Sequence, residues 1–264
     1  MNNISSQFKQ QYEENFALLK EKYPEIAYWL QTSNDRGAIA VKLQSGDFAF
    51  LLEKDGKKYW LTDPVEPKLK AKNFLKQNFN LVKRGEPLLL VGIGAGYELM
   101  ELFSVQPRIY LWMKQPIYVV EKSADILRLN LEVHNWKNIL NSGRIFFFVG
   151  KKIDQKLKEF FRDALKPLPR KIFIYEIPQQ KKQPFVSKVV KVMRDITERR
   201  KEEGKQLSRE INRYYGSLSR EDWQKIFSHQ RKRPLRILLL TTRFSTFIQY
   251  CIRDAAQGFK TLGH

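Results

Sequence analysis

The sequence predicts an α/β fold with a mostly parallel sheet, and three observations lead to this prediction. Residues 88–91 are four consecutive apolar residues, as in a strand that is buried on both faces. Gly92, Gly94 and Gly96 follow directly and open a tight turn before a helical pattern. Strand and helix patterns then alternate along the chain, which is typical of parallel strands joined by crossover helices.

An antiparallel region is predicted ahead of this sheet. Residues 5–22 carry apolar side chains at spacings of three and four, which predicts an amphipathic helix, and Pro24 can begin a second short helix. Three short alternating segments follow, separated by turns that contain Gly46 and Gly56. These segments are residues 38–43, 48–52 and 58–61. They predict a small N-terminal α+β meander.

The main sheet is predicted from the alternation that follows. A helix over residues 67–81 leads into the strand at 88–91. Residues 107–115 are interpreted as an insertion before the second strand of the sheet. The later elements are predicted as helices at 97–105, 124–133 and 154–165 and strands at 117–121, 144–149 and 171–175.

The last part of the chain predicts a long helical region and a new βα unit. Residues 187–227 are highly charged and helical in pattern, with breaks expected near Gly204 and Gly216. A buried strand at 235–241 and a helix at 244–262 follow. Because one strand and one helix cannot form a sheet of their own, we expect the first βα unit of a second α/β domain here.

The glycine-rich turn carries the main functional signal. A strand, a glycine turn and a helix N-terminus form a setting in which backbone N–H groups can face an anion. Glu121 ends the next strand, where a carboxylate can accept hydrogen bonds from a ribose. Tyr97 and Glu98 can line the same cleft, and Gly150 follows the third strand. The predicted cofactor-binding residues of this Rossmann-like unit are Gly92, Gly94, Gly96, Tyr97, Glu121 and Gly150.

The spacing of this motif leaves several interpretations open. The dinucleotide fingerprint is G-x-G-x-x-G with an acid about 20 residues later. This chain has G-x-G-x-G, with Glu121 well beyond that distance, which is closer to the first motif of S-adenosylmethionine-dependent methyltransferases. Lys151 stands where those enzymes usually carry Asp, and a lysine suits a phosphate better. The glycines could also serve close strand–helix packing with no ligand.

Composition points to anionic partners. The chain has 48 Lys and Arg against 28 Asp and Glu, a formal net charge of +20. Residues 151–233 contain 24 basic and 11 acidic residues. Such a field favours nucleic acid, a phospholipid surface or diphosphate-bearing substrates. Nucleic acid is the least favoured of these, because the sequence contains no zinc finger, RNP sequence or basic zipper.

Other features bound the class of protein. No apolar run reaches the roughly 18 residues of a transmembrane span, and the N-terminus has no signal-peptide pattern. With Cys251 as its single cysteine, the chain is predicted to be cytoplasmic, with peripheral membrane contact left open. No metal site is predicted, because the histidines are far apart and no Asp-x-Asp pair occurs. His134, at a helix end, is expected to be a surface or capping residue.

The order of these motifs resembles the N-terminal region of motility-associated factor (Maf) proteins. Those are bacterial glycosyltransferase-like proteins linked to the sugar modification of flagellins. The resemblance runs over residues 15–171 and rests on Asp63-Pro64, Leu-Leu-Val-Gly-Ile-Gly-Ala-Gly-Tyr-Glu-Leu, Val-Val-Glu and Arg-Ile-Phe-Phe-Phe-Val-Gly. The segment from residue 236 resembles the opening of a GT-B type glycosyltransferase domain. That likeness would place Arg243, Phe244 and Thr246 in a loop facing the acceptor.

The resemblance divides the chain into four regions. They are N-terminal helices and meander (1–66), a Rossmann-like nucleotide-binding domain (67–183), a charged helical connector (184–234) and the truncated start of a GT-B domain (235–264). The implied function is the N-terminal part of a Maf-type glycosyltransferase that moves sugar from a nucleotide donor to a protein or glycan acceptor.

The implied ligand is a nucleotide-sugar or another nucleotide, and no catalytic residue is assigned. Because the second half of a GT-B domain does not follow, we expect the chain alone to be inactive in sugar transfer. One alternative is an S-adenosylmethionine-dependent methyltransferase. Another is a non-catalytic basic adaptor that docks on an anionic surface through residues 151–233.

Overall fold

The structure of the chain is a computed structural model, and it describes residues 2–33, 37–54, 56–105, 109–110, 113–174, 184–217, 219 and 221. It confirms the α/β class, with a four-stranded parallel sheet and a three-stranded antiparallel sheet. The chain divides into two compact units, Met1–Ile196 and Thr197–His264. The βα unit predicted from residue 235, with Cys251 and the acceptor-facing loop, lies outside the described residues.

The N-terminal part forms as its patterns predict. Two helices, α1 (Asn2–Lys22) and α2 (Pro24–Thr32), precede the strands β1 (Ala38–Lys42), β2 (Phe48–Lys54) and β3 (Lys57–Trp60). Each strand pairs antiparallel with the next, and Ala40 lies opposite Phe50 in the β1–β2 register. Phe50 is fully buried, so the meander presents an apolar face to the rest of the unit.

The main sheet is built from alternating elements. They are α3 (Pro67–Lys83), β4 (Leu88–Val91), α4 (Tyr97–Ser104), β5 (Ile109–Tyr110), β6 (Met113–Lys114), β7 (Ile117–Glu121), α5 (Ala124–Val133), α6 (Lys137–Asn141), β8 (Ile145–Val149), α7 (Ile153–Phe160), β9 (Lys171–Ile174) and α8 (Pro184–Gly216). The strand order is β8-β7-β4-β9, with every pair parallel. The chain runs from β4 outward to β8 and then crosses to β9, so its direction of travel reverses between β4 and β9.

Both faces of the two central strands are covered, which explains why residues 88–91 of β4 and 117–120 of β7 form apolar runs. On one face, Leu88 and Val119 pack in a core that includes Leu127 of α5. On the other face, Val120 packs in a core with Leu157 of α7 and Met193 of α8. A strand buried on both sides favours a continuous apolar run over alternation. The helices leave the carboxyl ends of the strands as the edge where a ligand can approach.

Some elements differ from the sequence prediction. The short helix α6 was not predicted, the predicted insertion contains the small β5–β6 pair, and α7 ends five residues earlier than expected. The break predicted near Gly204 is wrong, because α8 continues through it to Gly216. A glycine costs an exposed helix only about 1 kcal/mol. The pairs Lys201–Glu198 and Lys205–Glu202, at 2.7 and 2.6 Å, support the same turns.

Candidate functional site

A crevice lies along the junction of β4 and β9, where the strand order reverses, and it reaches the carboxyl ends of both strands. In open α/β sheets this position is the usual place for a ligand. The cavity has a volume of about 620 Å³. We call it the switch-point crevice; its walls come from β4 and the turn after it, from α3, from the first turn of α4 and from β9. Its lining residues are Lys70, Asn73, Phe74, Gln77, Asn78, Leu90, Gly92, Glu98, Lys171, Phe173 and Ile174.

Glu98 is the most unusual side chain in this crevice. It is only 7% exposed, and its Oε2 has no hydrogen-bond partner within the described part of the chain. Burial raises the pKa of Glu98 to about 7, against smaller lowering effects from its own backbone N–H and from Lys70. Near neutral pH the carboxyl group is therefore partly protonated. It can donate a hydrogen bond or exchange a proton with a bound group.

A lysine and an aromatic ring of β9 face an aromatic ring of α3 in the crevice. The Nζ of Lys171 donates to Oδ1 of Asn78 at 2.8 Å and lies 5.0 Å from the ring centroid of Phe173. The rings of Phe74 and Phe173 meet edge to face, with centroids 4.9 Å apart. These contacts hold the lysine in place, so its charge is positioned in the crevice before any ligand binds.

The glycine-rich turn is held on its other side by α5 and the residues after it. The side-chain amide of Asn130 donates to the carbonyl oxygen of Gly94 at 2.9 Å. Nε2 of His134 lies 2.7 Å from the carbonyl oxygen of Ala95. Gly96 has a φ of +78° and lies against the Asn130 side chain, which leaves no room for a Cβ atom. These neighbours fill the inside of the bend.

The meander covers the same turn from a second direction. The backbone N–H of Phe48 donates to the hydroxyl oxygen of Tyr97 at 2.7 Å. Ala95 and Tyr97 belong to one apolar cluster with Phe50 and Leu61. Tyr97 is 3% exposed, and burial raises its pKa to about 12. Tyr97 therefore packs and hydrogen-bonds inside the protein rather than facing the switch-point crevice.

Glu121 is also used internally. The side chain is 4% exposed, and its Oε2 accepts a hydrogen bond from the N–H of Ile93 at 3.0 Å. Its Oε1 accepts one from the N–H of Ser123 at 2.9 Å. Burial raises the pKa of Glu121, while these backbone hydrogen bonds oppose the shift. The carboxylate thus joins the end of β7 to the turn after β4, and its binding of a ribose stays a prediction.

The structure does not gather the six predicted binding residues around one cavity. Gly92 borders the switch-point crevice, while Gly150 borders a separate cavity and packs against the indole of Trp29. The other four, Gly94, Gly96, Tyr97 and Glu121, are buried in the interior. Of the two helix residues considered from sequence, Glu98 and not Tyr97 lines the crevice.

Sequence reasoning missed the α3 wall of the crevice and the burial of one histidine. Lys70, Asn73 and Gln77 follow one another at spacings of three and four, which puts them on one face of a helix. These three polar residues on one face of a helix, next in the chain to a buried strand that ends in a glycine, are the sequence signal that could have indicated this wall. Of the two roles expected for His134, the capping role is confirmed, because its backbone N–H caps α5 on the carbonyl oxygen of Asn130. The surface position is not: the side chain is 7% exposed, because the turn over residues 94–96 packs against it.

The chain is similar to known proteins only at the level of three-dimensional structure. A scan against protein-family models and a search of the curated proteins each gave no match. Among solved structures, the chain is similar to a MAf glycosyltransferase from Magnetospirillum magneticum AMB-1, with 16% sequence identity and a TM-score of 0.48, over 71% of this chain and 35% of that one. It is also similar to MNMC2 from Aquifex aeolicus, with 12% identity and a TM-score of 0.35, over 65% of this chain and 63% of that one.

This chain thus spans about a third of the length of the MAf structure. Neither similarity assigns a function to it. In the described ranges, no group of three or more His, Cys, Asp or Glu side chains is placed to hold a metal ion. None of the helices described has the length and apolarity that a bilayer span requires.

Proposed function

We propose that this chain binds a nucleotide in the switch-point crevice, as the nucleotide-binding part of a Maf-type glycosyltransferase. The observation that carries the proposal is the position of the cavity, at the reversal of strand order and reaching the carboxyl ends of β4 and β9. Its volume of about 620 Å³ lies within the range of roughly 300 to 1,000 Å³ that is usual for small-molecule sites.

The chemistry of the lining supports a nucleotide in particular. Lys70 and Lys171 can bind phosphate oxygens, and the rings of Phe74 and Phe173 offer an apolar surface to a base. The amides of Asn73 and Gln77 can pair with the polar edge of a base. Glu98, partly protonated near neutral pH, can donate a hydrogen bond to a carbonyl or phosphoryl oxygen.

The glycosyltransferase part of the proposal rests on the ordered motifs of the sequence. The donor is then a nucleotide-sugar, and the acceptor is a protein or a glycan. The crevice contributes recognition of the donor nucleotide, and no residue of the described ranges is assigned to the transfer step. Nucleotide binding by the crevice and sugar transfer by a larger protein are separable claims, and the first can be tested on this chain.

Calorimetric titration of the full chain with UDP, GDP and CMP tests the proposal. We expect at least one nucleotide to bind in the micromolar range. Lys70→Gln should weaken that binding about tenfold, because it removes a phosphate partner worth about 1.5 kcal/mol. Lys76→Gln is the matched control, since it lies on the same helix, is exposed and does not line the crevice. Absence of nucleotide binding, or equal weakening in both variants, would contradict the proposal.

Titration with S-adenosylmethionine in the same series tests the methyltransferase alternative. The G-x-G-x-G turn before α4 is the observation that favours this alternative. Its expected signature is micromolar binding of S-adenosylmethionine that Glu121→Ala abolishes, measured at a temperature where the variant is still folded. Nucleotide binding without S-adenosylmethionine binding would exclude it.

A further inference from the structure

A second cavity lies at the carboxyl ends of β7 and β8. It has a volume of about 830 Å³ and is bordered by the end of α2, the start of α7 and the start of α8. We call it the lysine pocket, because its described lining includes five lysines and, of acidic residues, only Asp154. The lysines are Lys122, Lys151, Lys152, Lys156 and Lys188. The lining therefore carries a formal surplus of four positive charges.

Three of these lysines are available to a ligand. Lys156 donates to the carbonyl oxygen of Val149 at 3.1 Å, and Lys188 pairs with Asp154 at 3.1 Å. The ammonium groups of Lys122, Lys151 and Lys152 have no hydrogen-bond or ion-pair partner in the part of the chain that the structure describes. Like charges brought together without a counterion repel one another, and an anion between them removes that repulsion.

The loop after β8 adds to this positive field. Lys152 has a φ of +57°, the left-handed region that residues other than glycine seldom adopt. Lys152 is the N-cap residue of α7, and its side chain makes no hydrogen bond to the first N–H groups of that helix. The first N–H groups of a helix carry partial positive charge. The loop thus places two lysines beside a helix N-terminus.

An aromatic side chain, Trp29, also lines the pocket. The indole of Trp29 lies so close to Gly150 that a Cβ atom there would come within 2.9 Å of the indole nitrogen. The glycine therefore lets the loop lie directly on the ring. A phosphate group carries several acceptor oxygens, which suit ammonium donors on one side and an indole N–H on the other.

We propose that the lysine pocket binds a phosphate-bearing ligand at a site separate from the switch-point crevice. Among the described residues the two cavities share none of their lining, since one is bordered by β4 and β9 and the other by β7 and β8. This proposal does not depend on the nucleotide proposed above. The phosphate can belong to a soluble diphosphate or to the headgroup of an anionic lipid.

Titration of the full chain with inorganic pyrophosphate tests the site. We expect Lys122→Gln/Lys151→Gln to weaken binding at least tenfold. Lys137→Gln/Lys158→Gln is the matched control, because it removes two exposed lysines that border neither cavity. It should change the affinity less than twofold. Equal weakening in both double variants would mean that only the overall charge of the protein matters, and it would overturn the proposal. A parent chain that does not bind pyrophosphate would also overturn it.

The variant Lys70→Gln distinguishes pyrophosphate binding in the lysine pocket from binding in the switch-point crevice. That variant should keep its pyrophosphate affinity if the lysine pocket is the site. Loss of pyrophosphate binding in Lys70→Gln, with retention in Lys122→Gln/Lys151→Gln, would overturn the proposal and leave the nucleotide site intact. Should the double variant unfold, Lys188→Gln provides a second test from α8, with an expected loss of several-fold.

Vesicles distinguish the two sources of phosphate. We expect the chain to sediment with phosphatidylcholine vesicles that contain phosphatidylglycerol, and to be released by pyrophosphate, if the ligand is a lipid headgroup. Pyrophosphate binding without sedimentation assigns a soluble ligand instead. Sedimentation that the double lysine variant does not reduce contradicts a role for the pocket in membrane binding.

Discussion

Nε2 of His134 lies 2.7 Å from the carbonyl oxygen of Ala95, in the middle of the glycine-rich turn. The two residues are 39 positions apart in the chain. The ring also meets Tyr97 edge to face, with centroids 4.9 Å apart. This contact ties the end of α5 to the turn after β4, so the conformation of the turn depends on a residue that the sequence predicts only as a surface or capping residue.

The first prediction concerns the pH dependence of this contact. Burial lowers the pKa of His134 to about 4, so the folded protein keeps the ring neutral while the unfolded chain protonates it near pH 6.5. Stability from His134 is therefore present above pH 6.5 and is lost as the pH falls toward 4. We expect this loss to reach about 2–3 kcal/mol. Denaturation of the parent and of His134→Gln across this range measures it, and parallel pH profiles would contradict it.

The second prediction concerns the packing of Gly96. A Cβ atom at this position would collide with Oδ1 of Asn130 and approach the ring of Trp136. We expect Gly96→Ala to lower the free energy of unfolding by more than about 2 kcal/mol, since strain and overpacking add. Gly46→Ala is the matched control, because Gly46 also has a positive φ but has no atom near the added methyl. If denaturant titration gives the same loss of unfolding free energy for both variants, backbone strain alone explains the effect and packing at Gly96 does not contribute.

The third prediction concerns Glu121 as a link between two parts of the sheet edge. Glu121→Ala leaves the N–H groups of Ile93 and Ser123 without their carboxylate acceptor. We expect a loss of about 2–4 kcal/mol, because each buried unpaired donor costs about 1–3 kcal/mol. Glu53→Ala, at an exposed position of β2, should change stability by less than about 0.5 kcal/mol. An unchanged melting temperature for Glu121→Ala would show that the carboxylate is not structural.

The fourth prediction concerns the ionisation of Glu98. Because burial raises its pKa to about 7, the folded protein holds a proton that the unfolded chain releases near pH 4.5. The stability that Glu98 contributes is therefore present below pH 4.5 and is lost as the pH rises through 7. We expect Glu98→Gln to become more stable than the parent by roughly 1–3 kcal/mol at pH 8, with little difference at pH 4.5. Denaturant titrations at both values measure this, and a constant difference would contradict it.

Much of the fold could be predicted because its signals are local. The apolar run at 88–91 and the glycines after it each favour one backbone conformation within a few residues. The alternation of strands and helices then restricts the topology to a parallel sheet. The short helix α6 escaped prediction because five residues carry too little periodicity to indicate a helix.

The location of the site could be predicted only in part. Gly92 lies at the switch-point crevice, as the glycine motif suggested, but the lysines and amides of α3 come from a helix that carries no motif. Nothing local marks Lys70 as facing Glu98, because their meeting depends on how α3 lies over the end of β4. The glycine motif predicts that Gly94 contacts a ligand. In the structure the carbonyl oxygen of Gly94 accepts a hydrogen bond from the side-chain amide of Asn130.

The sequence by itself determined the α/β class, the strand–turn–helix at residues 88–104 and the strongly basic character of the chain. Periodicity and glycine positions act within a few residues, and net charge is a sum that does not depend on where each charge lies in the fold. Only the tertiary structure decided which side of the glycine turn is filled and which side borders a cavity. That outcome depends on Asn130, His134 and the meander packing onto the turn from far along the chain, and such contacts are set by the burial of whole surfaces rather than by local preference.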